Sequence, residues 1–327
     1  MKTIHEPLVQ VRDLRVRFVS KDATVHAVNG IDFDLDSHET LCVLGESGSG
    51  KSVMLRSLMR LNPPNKTVIS GTLRVNGQDL VTATDRQLSD LRGRVVSMIF
   101  QEPMTALDPV FKIGRQIAET IIRHEGISRA EADKRALDLL ELVQIPSAKE
   151  RLNAYPFEMS GGLRQRAMIA IALACKPKLL LADEPTTALD ATVQIQILLL
   201  LRKLQKELGM GVIFVTHDLG VAGEIADRIA VMYAGRFIEE GPTSELMRSP
   251  LHPYTQGLLG ATVHPGMRGS RLITIPGAPP NLEHLKEGCA FAPRCSKAQS
   301  ICLNQTPKTM QTSPGRSARC VLLASAT

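Results

Sequence analysis

Eight residues, Gly45-Glu-Ser-Gly-Ser-Gly-Lys-Ser52, restrict the folding of this chain more than any others. They follow Thr40-Leu-Cys-Val-Leu44, a short apolar run of the kind buried on both faces of a sheet, and a helix is expected from Ser52 onward. A strand, a glycine-rich turn and a helix N-terminus in that order make an anion cradle. The glycines permit a tight path, backbone N–H groups turn inward, and the helix end adds positive potential. The pattern G-x-x-x-x-G-K-[ST] predicts that Gly45, Glu46, Ser47, Gly48, Ser49 and Gly50 wrap a chain of phosphates. Lys51 would reach the β and γ groups, and the Ser52 hydroxyl would ligate Mg²⁺. Average residue usage produces this pattern by accident in only about a few per cent of chains of this length.

The surrounding sequence supplies the sheet that such a loop needs. Lys178-Leu-Leu-Leu-Ala182 and Met210-Gly-Val-Ile-Phe-Val-Thr216 are apolar runs of strand length, separated by a helical pattern from Thr192 to Leu208. That alternation predicts an α/β protein with a parallel sheet. Ahead of the glycine turn, residues 8–18 and 25–35 alternate apolar with polar side chains and predict an antiparallel piece. Asp85 to Glu158 is mostly helical in pattern, most clearly over Arg129 to Val143, and predicts a helical subdomain at about 85–160. With 327 residues, 43% of them hydrophobic, the chain has material for one large domain and a smaller one. The longest apolar runs, Ile169 to Cys175 and Ile195 to Leu201, fall far short of the roughly 18–20 residues that span a bilayer. No apolar stretch follows Met1-Lys-Thr-Ile-His-Glu, so a secretory signal is absent and a cytoplasmic location is expected.

Leu179-Leu-Leu-Ala-Asp183-Glu184 ends an apolar strand in two carboxylates. Asp183 is suited to Mg²⁺ and Glu184 to polarising an attacking water. Without the phosphate loop, such a pair is more often a solvated turn. Met159-Ser-Gly-Gly-Leu-Arg-Gln-Arg166, about a hundred residues beyond the loop, opens a helix with a serine and two glycines and resembles the signature motif of ABC ATPases. In that family Ser160, Gly161 and Gly162 would serve the nucleotide held by the opposite subunit, which implies a dimer with two shared sites. Leu163 stands where many members have Gln, a departure that leaves the phosphate donors intact. Gln101, in Phe100-Gln-Glu-Pro-Met, resembles the Q-loop glutamine that touches Mg²⁺ and water and senses a transmembrane partner. His217, in Val215-Thr-His-Asp, resembles the switch histidine that contacts the γ-phosphate, and Asp190, in Ala188-Leu-Asp, resembles the D-loop residue. Phe18 is the candidate for the aromatic that stacks on adenine, with a plain core role as its alternative and His26 as a substitute. The resemblance runs over about residues 8–240. It implies an ATPase using ATP and Mg²⁺ on an α/β fold, a P-loop NTPase with a RecA-like parallel sheet core, an antiparallel β subdomain and a helical subdomain.

The end of the chain differs in chemistry. Residues 245–327 hold nine Lys and Arg against three Asp and Glu, so the net charge of +6 lies wholly there. Four of the six cysteines, Cys289, Cys295, Cys302 and Cys320, gather in the last forty residues. Pro250-Leu-His-Pro-Tyr-Thr-Gln-Gly-Leu-Leu259 and Cys289-Ala-Phe-Ala-Pro-Arg-Cys295 resemble the C-terminal extension of the dipeptide, oligopeptide and nickel importers within that family. This divides the chain into an ATPase domain over 1–245 and a small cysteine-containing extension over 246–327. In a reducing compartment, four thiols are better read as metal ligands than as disulfides; the spacing matches neither a C-x2-C zinc pair nor a common ferredoxin pattern, so the ligand set alone fits zinc or an iron–sulfur cluster. Some members of that branch carry a [4Fe-4S] cluster at such cysteines, which favours it over Zn²⁺. Arg294, Lys297, Arg316 and Arg319 would then offset the charge of the thiolates. The plain alternatives are that the cysteines merely pack and that the basic tail faces anionic lipid.

The importer resemblance implies a second, different ATPase subunit, two transmembrane permease chains and an extracytoplasmic binding protein. It places this chain on the cytoplasmic face of the plasma (inner) membrane as a peripheral subunit. Peptides are the commonest cargo of that branch, with nickel, sugars and opine-like conjugates as alternatives. ABC ATPases of DNA repair and chromosome structure insert long coiled coils or zinc modules between the two motifs, and only the ordinary helical span separates Gly50 from Ser160 here. Translation members usually carry two ATPase units in one chain. Nucleic acid is not expected as a partner, since 3% aromatics scarcely supply a stacking surface.

Overall fold

Strands buried on both faces organise the chain. The computed structural model describes residues 6–187, 189–261 and 274–323. The N-terminal run read for a secretory signal lies largely outside them, as do Ala188 beside the D-loop residue and parts of the extension. The strands are Val9–Val19 (β1), Thr24–Leu35 (β2), Thr40–Leu44 (β3), Thr67–Val75 (β4), Gln78–Asp79 (β5), Val96–Ile99 (β6), Leu179–Asp183 (β7), Gly211–Thr216 (β8), Arg228–Tyr233 (β9), Arg236–Pro242 (β10), Met310–Ser313 (β11) and Arg316–Ala318 (β12). In the main sheet β9, β3, β8, β7 and β6 lie side by side in that order and all parallel. The antiparallel strands β10, β12 and β11 continue the sheet beyond β9.

Every residue of β3, β6, β7 and β8 is buried. Leu41, Val43, Leu179, Leu181, Ile213 and Val215 enter one apolar cluster, shared with the antiparallel sheet β2-β1-β4-β5. Their neighbours Cys42, Leu44, Leu180, Ala182, Val212 and Phe214 enter a second cluster, shared with the helices. The period of two therefore persists, but both faces are apolar, which is why these strands read as unbroken apolar runs. In the antiparallel sheet β1 pairs with β2 through Val9↔Leu35 and with β4 through Val9↔Val75.

The stretch read as a helical subdomain contains the helices Asp85–Leu91, Pro103–Ala106, Ile113–Glu125, Arg129–Leu142 and Ala148–Arg151. Ser128 caps the Arg129–Leu142 helix by accepting from the Glu131 N–H. The same stretch also contains β6, which pairs with β7 through Val96↔Leu179 and forms the edge of the main sheet. Four consecutive buried residues carry no period that separates a strand from a turn of buried helix, so this strand was masked by its helical surroundings.

The extension is not a separate appendage. Its strand β12 pairs with β10 through Glu239↔Ala318 and Glu240↔Ser317. Glu239, 1% exposed, accepts the backbone N–H groups of Leu251 and His252, each at 2.8 Å. His252 Nδ1 in turn accepts the Tyr254 N–H at 3.0 Å and caps the Pro253–Gly260 helix. Tyr254 is wholly buried against Tyr233 and Phe291, with ring centroids 4.7 Å and 5.3 Å away.

Because Nδ1 accepts, His252 must be neutral, and burial pushes its pKa from 6.5 down to about 4. The unfolded chain takes up a proton between these values that the folded chain refuses. Stability therefore falls as pH drops through that window, by up to roughly 3 kcal/mol, and is unaffected above it. In His252→Asn, whose Oδ1 can accept the same N–H, the urea midpoint should vary less between pH 4.5 and 7 than in the parent. Identical pH profiles would remove His252 from this role.

Candidate functional site

The carboxyl ends of adjacent parallel strands deliver four loops to one place: Gly45–Gly50 follows β3, Gln101 follows β6, Glu184 follows β7 and His217 follows β8. Such an edge of an α/β sheet is where ligands bind. A cleft of about 750 Å³ opens there, lined by Phe18, Glu46, Ser47, Gly48, Gly50, Lys51, Ser52, Gln101, Glu184 and His217 among others. Phe18 is half-buried at its wall, so its side chain is available to a flat ligand. His26, the substitute, does not line the cleft.

The turn depends on glycine at two places. A Cβ on Gly45 would lie 2.3 Å from the Met232 carbonyl oxygen. Gly50, at φ 105°, caps the Lys51–Ser57 helix, and a Cβ there would lie 2.2 Å from the Ala27 carbonyl oxygen. The loop is thus pressed against β2 and β9. Lys51 is 4% exposed, with Nζ donating to the carbonyls of Gly45 at 2.7 Å and Glu46 at 2.9 Å. Burial lowers its pKa, opposed by the neighbouring Glu184 and Asp183 carboxylates.

Ser52 Oγ donates to Asp183 Oδ1 at 2.7 Å. Burial raises the Asp183 pKa, while the Ser52 hydroxyl and Arg56, 3.9 Å away, pull it down. Two hard oxygens side by side at the loop fit a cation that completes its shell with phosphate oxygens and water, as Mg²⁺ does. Next to them Glu184, a non-glycine residue at φ 45°, gathers the other polar groups. Its Oε2 accepts from Thr187 Oγ1 at 3.1 Å and from Gln101 Nε2 at 3.4 Å, and lies 3.2 Å from His217 Nδ1. Its Oε1 lies 4.0 Å from Lys51 Nζ. A carboxylate held this way can orient a water against the terminal phosphate of a ligand on the loop.

The signature residues and the D-loop residue are not among those lining this cleft. Ser160 is exposed and caps the Gly161–Leu173 helix through the Leu163 N–H. Asp190 caps the Ala191–Leu208 helix through the Val193 N–H at 3.0 Å. The two caps adjoin, since a Cβ on Gly162 would press within 2.8 Å of Val193.

Sequence reasoning missed Thr187, and it missed Leu258 and Leu282, which line the cleft from the extension. Thr187 had a signal, three residues beyond Glu184 at the strand end. The two leucines had none.

The four tail thiols are near enough to influence one another, Cys289 feeling Cys302 and Cys320, and Cys320 feeling Cys295. Yet among the described residues no three His, Cys, Asp or Glu side chains come together as a metal would require. Burial raises the pKa of Cys289 and Cys320, and the Cys302 sulfur accepts the Gln299 N–H at 3.4 Å. The described residues thus give no support to zinc or an iron–sulfur cluster at these cysteines. The basic residues assigned to offset such a site are engaged elsewhere: Arg294 with Glu46, Lys297 with Gln256, Arg316 with Glu239, and Arg319 with Thr309.

Residues 28–187 match the ABC transporter family, and residues 238–302 match the oligopeptide/dipeptide transporter C-terminal region. The chain is 48% identical to the oligopeptide transport ATP-binding protein OppD of Salmonella typhimurium, covering 96% of this chain and 93% of that protein. It is also 48% identical to OppD of Bacillus subtilis, covering 94% and 86%, and to a putative peptide import ATP-binding protein of Brucella abortus, covering 96% and 94%. Among solved structures, the dimeric post-hydrolysis form of the ATP-binding cassette MJ0796 with ADP and phosphate superposes with a TM-score of 0.64 at 30% identity, covering 72% of this chain and 98% of that one. The cassette cbiO1 of Clostridium perfringens, part of the transporter complex cbiONQ, gives 0.64 at 26% identity, covering 75% and 92%.

Replacing Gly50 by Ala would add a left-handed alanine to a steric overlap with the Ala27 carbonyl. The expected loss is at least about 2 kcal/mol of unfolding free energy in urea titration. An unchanged midpoint would mean that the loop follows another path.

Proposed function

The chain belongs to the ABC transporter family as an ATP-hydrolysing subunit, and from that premise we propose that it drives peptide uptake through separate membrane permeases. Kinship with the peptide import proteins supports the cargo, and the match of the extension to the oligopeptide/dipeptide transporter region supports it independently. Among the described residues no helix is long and apolar enough to cross a membrane, which leaves the pore to other chains. A second, different ATPase subunit and an extracytoplasmic binding protein complete this reading, with the chain attached at the cytoplasmic face.

The convergence of Lys51, Gln101 and His217 on Glu184 carries the mechanism. N–H groups of the loop beyond Glu46 receive the phosphates, and Lys51 turns its ammonium from its two loop carbonyls toward the β and γ oxygens. Ser52, Asp183 and Gln101 would hold Mg²⁺, which when bound neutralises charge on the phosphates. Phe18 stacks on the base. Glu184 orients the attacking water, and His217, whose Nδ1 lies 3.2 Å from that carboxylate, contacts the γ-phosphate. Since Ser160, Gly161 and Gly162 do not line the cleft, they are free to close over the nucleotide of a partner subunit, helped by the positive end of their helix. Arg164 in that helix touches Met104 Sδ at 3.3 Å, which links it to the Gln101 loop. The exposed Phe100, Met104 and Val110 on this loop offer an apolar surface to the permease.

Glu184→Gln should bind MgATP in calorimetric titration as the parent does, while turnover in the assembled transporter falls by about a hundredfold or more. Undiminished turnover would remove Glu184 from its role. Full-speed hydrolysis by isolated subunits, indifferent to Ser160→Ala and Gly161→Ala, would overturn the shared-site mechanism.

A further inference from the structure

One ion pair joins the extension to the phosphate loop across 248 residues of sequence. Arg294 donates from Nη1 to Glu46 Oε2 at 2.7 Å and from Nη2 to Glu46 Oε1 at 3.0 Å, a two-pronged pair. The third nitrogen, Nε, donates to the Pro276 carbonyl at 2.9 Å, and Nη1 also reaches the Tyr233 hydroxyl at 3.3 Å. The Arg294 side chain is 6% exposed, against 27% for Glu46. A guanidinium so deeply buried keeps its place only with its donors satisfied, so its geometry is rigid. The backbone of Glu46 is tied to the same region, its N–H donating to the Tyr254 hydroxyl at 3.0 Å. Phe291 packs edge to face on Tyr233 and Tyr254, which are tilted against each other, and this cluster holds both hydroxyls. The extension is attached again at the far side of the cleft, where the Leu282 carbonyl accepts the His26 N–H at 3.1 Å. Leu282 lines the same cleft as Val25 and Phe18, which are cross-strand partners.

We propose that the C-terminal extension forms a third wall of the nucleotide site, in which Arg294 is a positioning residue that holds the phosphate loop through Glu46 while Leu258 and Leu282 shelter the base. This rests on the reading of the cleft as an ATP site. Glu46 stands second in the loop, between the end of β3 and the N–H groups that face the phosphates. A loop held at this point loses less freedom when phosphates bind, so the clamp acts as preorganisation. Lys51 is positioned by the same restraint, because one of its two carbonyl acceptors belongs to Glu46. The leucines act on a different part of the ligand, since apolar side chains in the cleft that Phe18 lines can cover a base but offer nothing to phosphate.

The test is calorimetric titration of the full chain with MgATP and with magnesium triphosphate, which lacks base and ribose. Arg294→Met, which keeps the apolar stem, should weaken both ligands alike, on the order of tenfold, the size of a lost charge-assisted hydrogen bond. Glu46→Gln should do the same, and the double variant should be no worse than either single one. Arg294→Lys, which keeps the charge but not the fork, should recover part of the affinity. Leu282→Ala should weaken ATP but not triphosphate. In the assembled transporter the Arg294→Met effect should fall on KM more than on kcat. A purely structural Arg294 would instead give a lower unfolding midpoint with unchanged affinities, and additive losses in the double variant would equally overturn the clamp. Equal weakening of both ligands in Leu282→Ala would overturn the base wall. Lys51→Ala serves as the control: if it leaves ATP binding unchanged, the ATP site itself is misplaced, whereas its failure to bind alongside an unaffected Arg294→Met rejects the clamp alone.

Discussion

Everything at the site depends on a steric constraint at the end of β3, where the chain turns from a doubly buried strand into a helix within six residues. The turn fits only because Gly45 and Gly50 let the loop lie against the carbonyls of Met232 and Ala27. The strands carrying those carbonyls, β9 and β2, belong to different sheets, so the loop is seated on both layers at once. Lys51 can be buried at 4% exposure because the same path aims two loop carbonyls at its ammonium.

The order of the parallel strands converts this local geometry into a catalytic arrangement. With β3, β8, β7 and β6 adjacent, the loops that follow them fall next to one another although Gln101, Glu184 and His217 are far apart in sequence. Glu184 adopts a left-handed backbone, costly for a non-glycine residue, in a setting where three polar side chains surround its carboxylate. Strain of this kind belongs at a site where orientation matters more than stability.

The extension changes the boundary of that site. Its strand β12 extends the main sheet, its buried Glu239–His252–Tyr254 chain of hydrogen bonds runs toward the phosphate loop, and Arg294 closes on Glu46. Two of the tail's basic residues, Arg294 and Arg316, thus find carboxylate partners in the ATPase part, Glu46 and Glu239. Composition alone could show the imbalance of charge but not where the opposing carboxylates lie.

The amino-acid sequence determined whatever depends on neighbours along the chain. The phosphate loop, the doubly apolar strands β3, β7 and β8, the carboxylates at the end of β7 and the capping serine at 160 each follow from a few adjacent residues whose chemistry suits one conformation. Strand β6 stayed hidden because four buried residues have no distinguishing period, and β4 because its alternation is interrupted by Ser70, Gly71 and Thr72. Only the tertiary structure decided which distant groups meet: Ser52 with Asp183, Gln101 and His217 on Glu184, Leu282 and Phe18 in one cleft wall, and Arg294 on Glu46. Among the described residues the four cysteines form no group of metal ligands, though four thiols together had suggested one. The physical reason is the same in each case: conformation is set by local sterics and hydrogen bonding, whereas a contact between remote residues exists only once strand order and packing have brought their elements together.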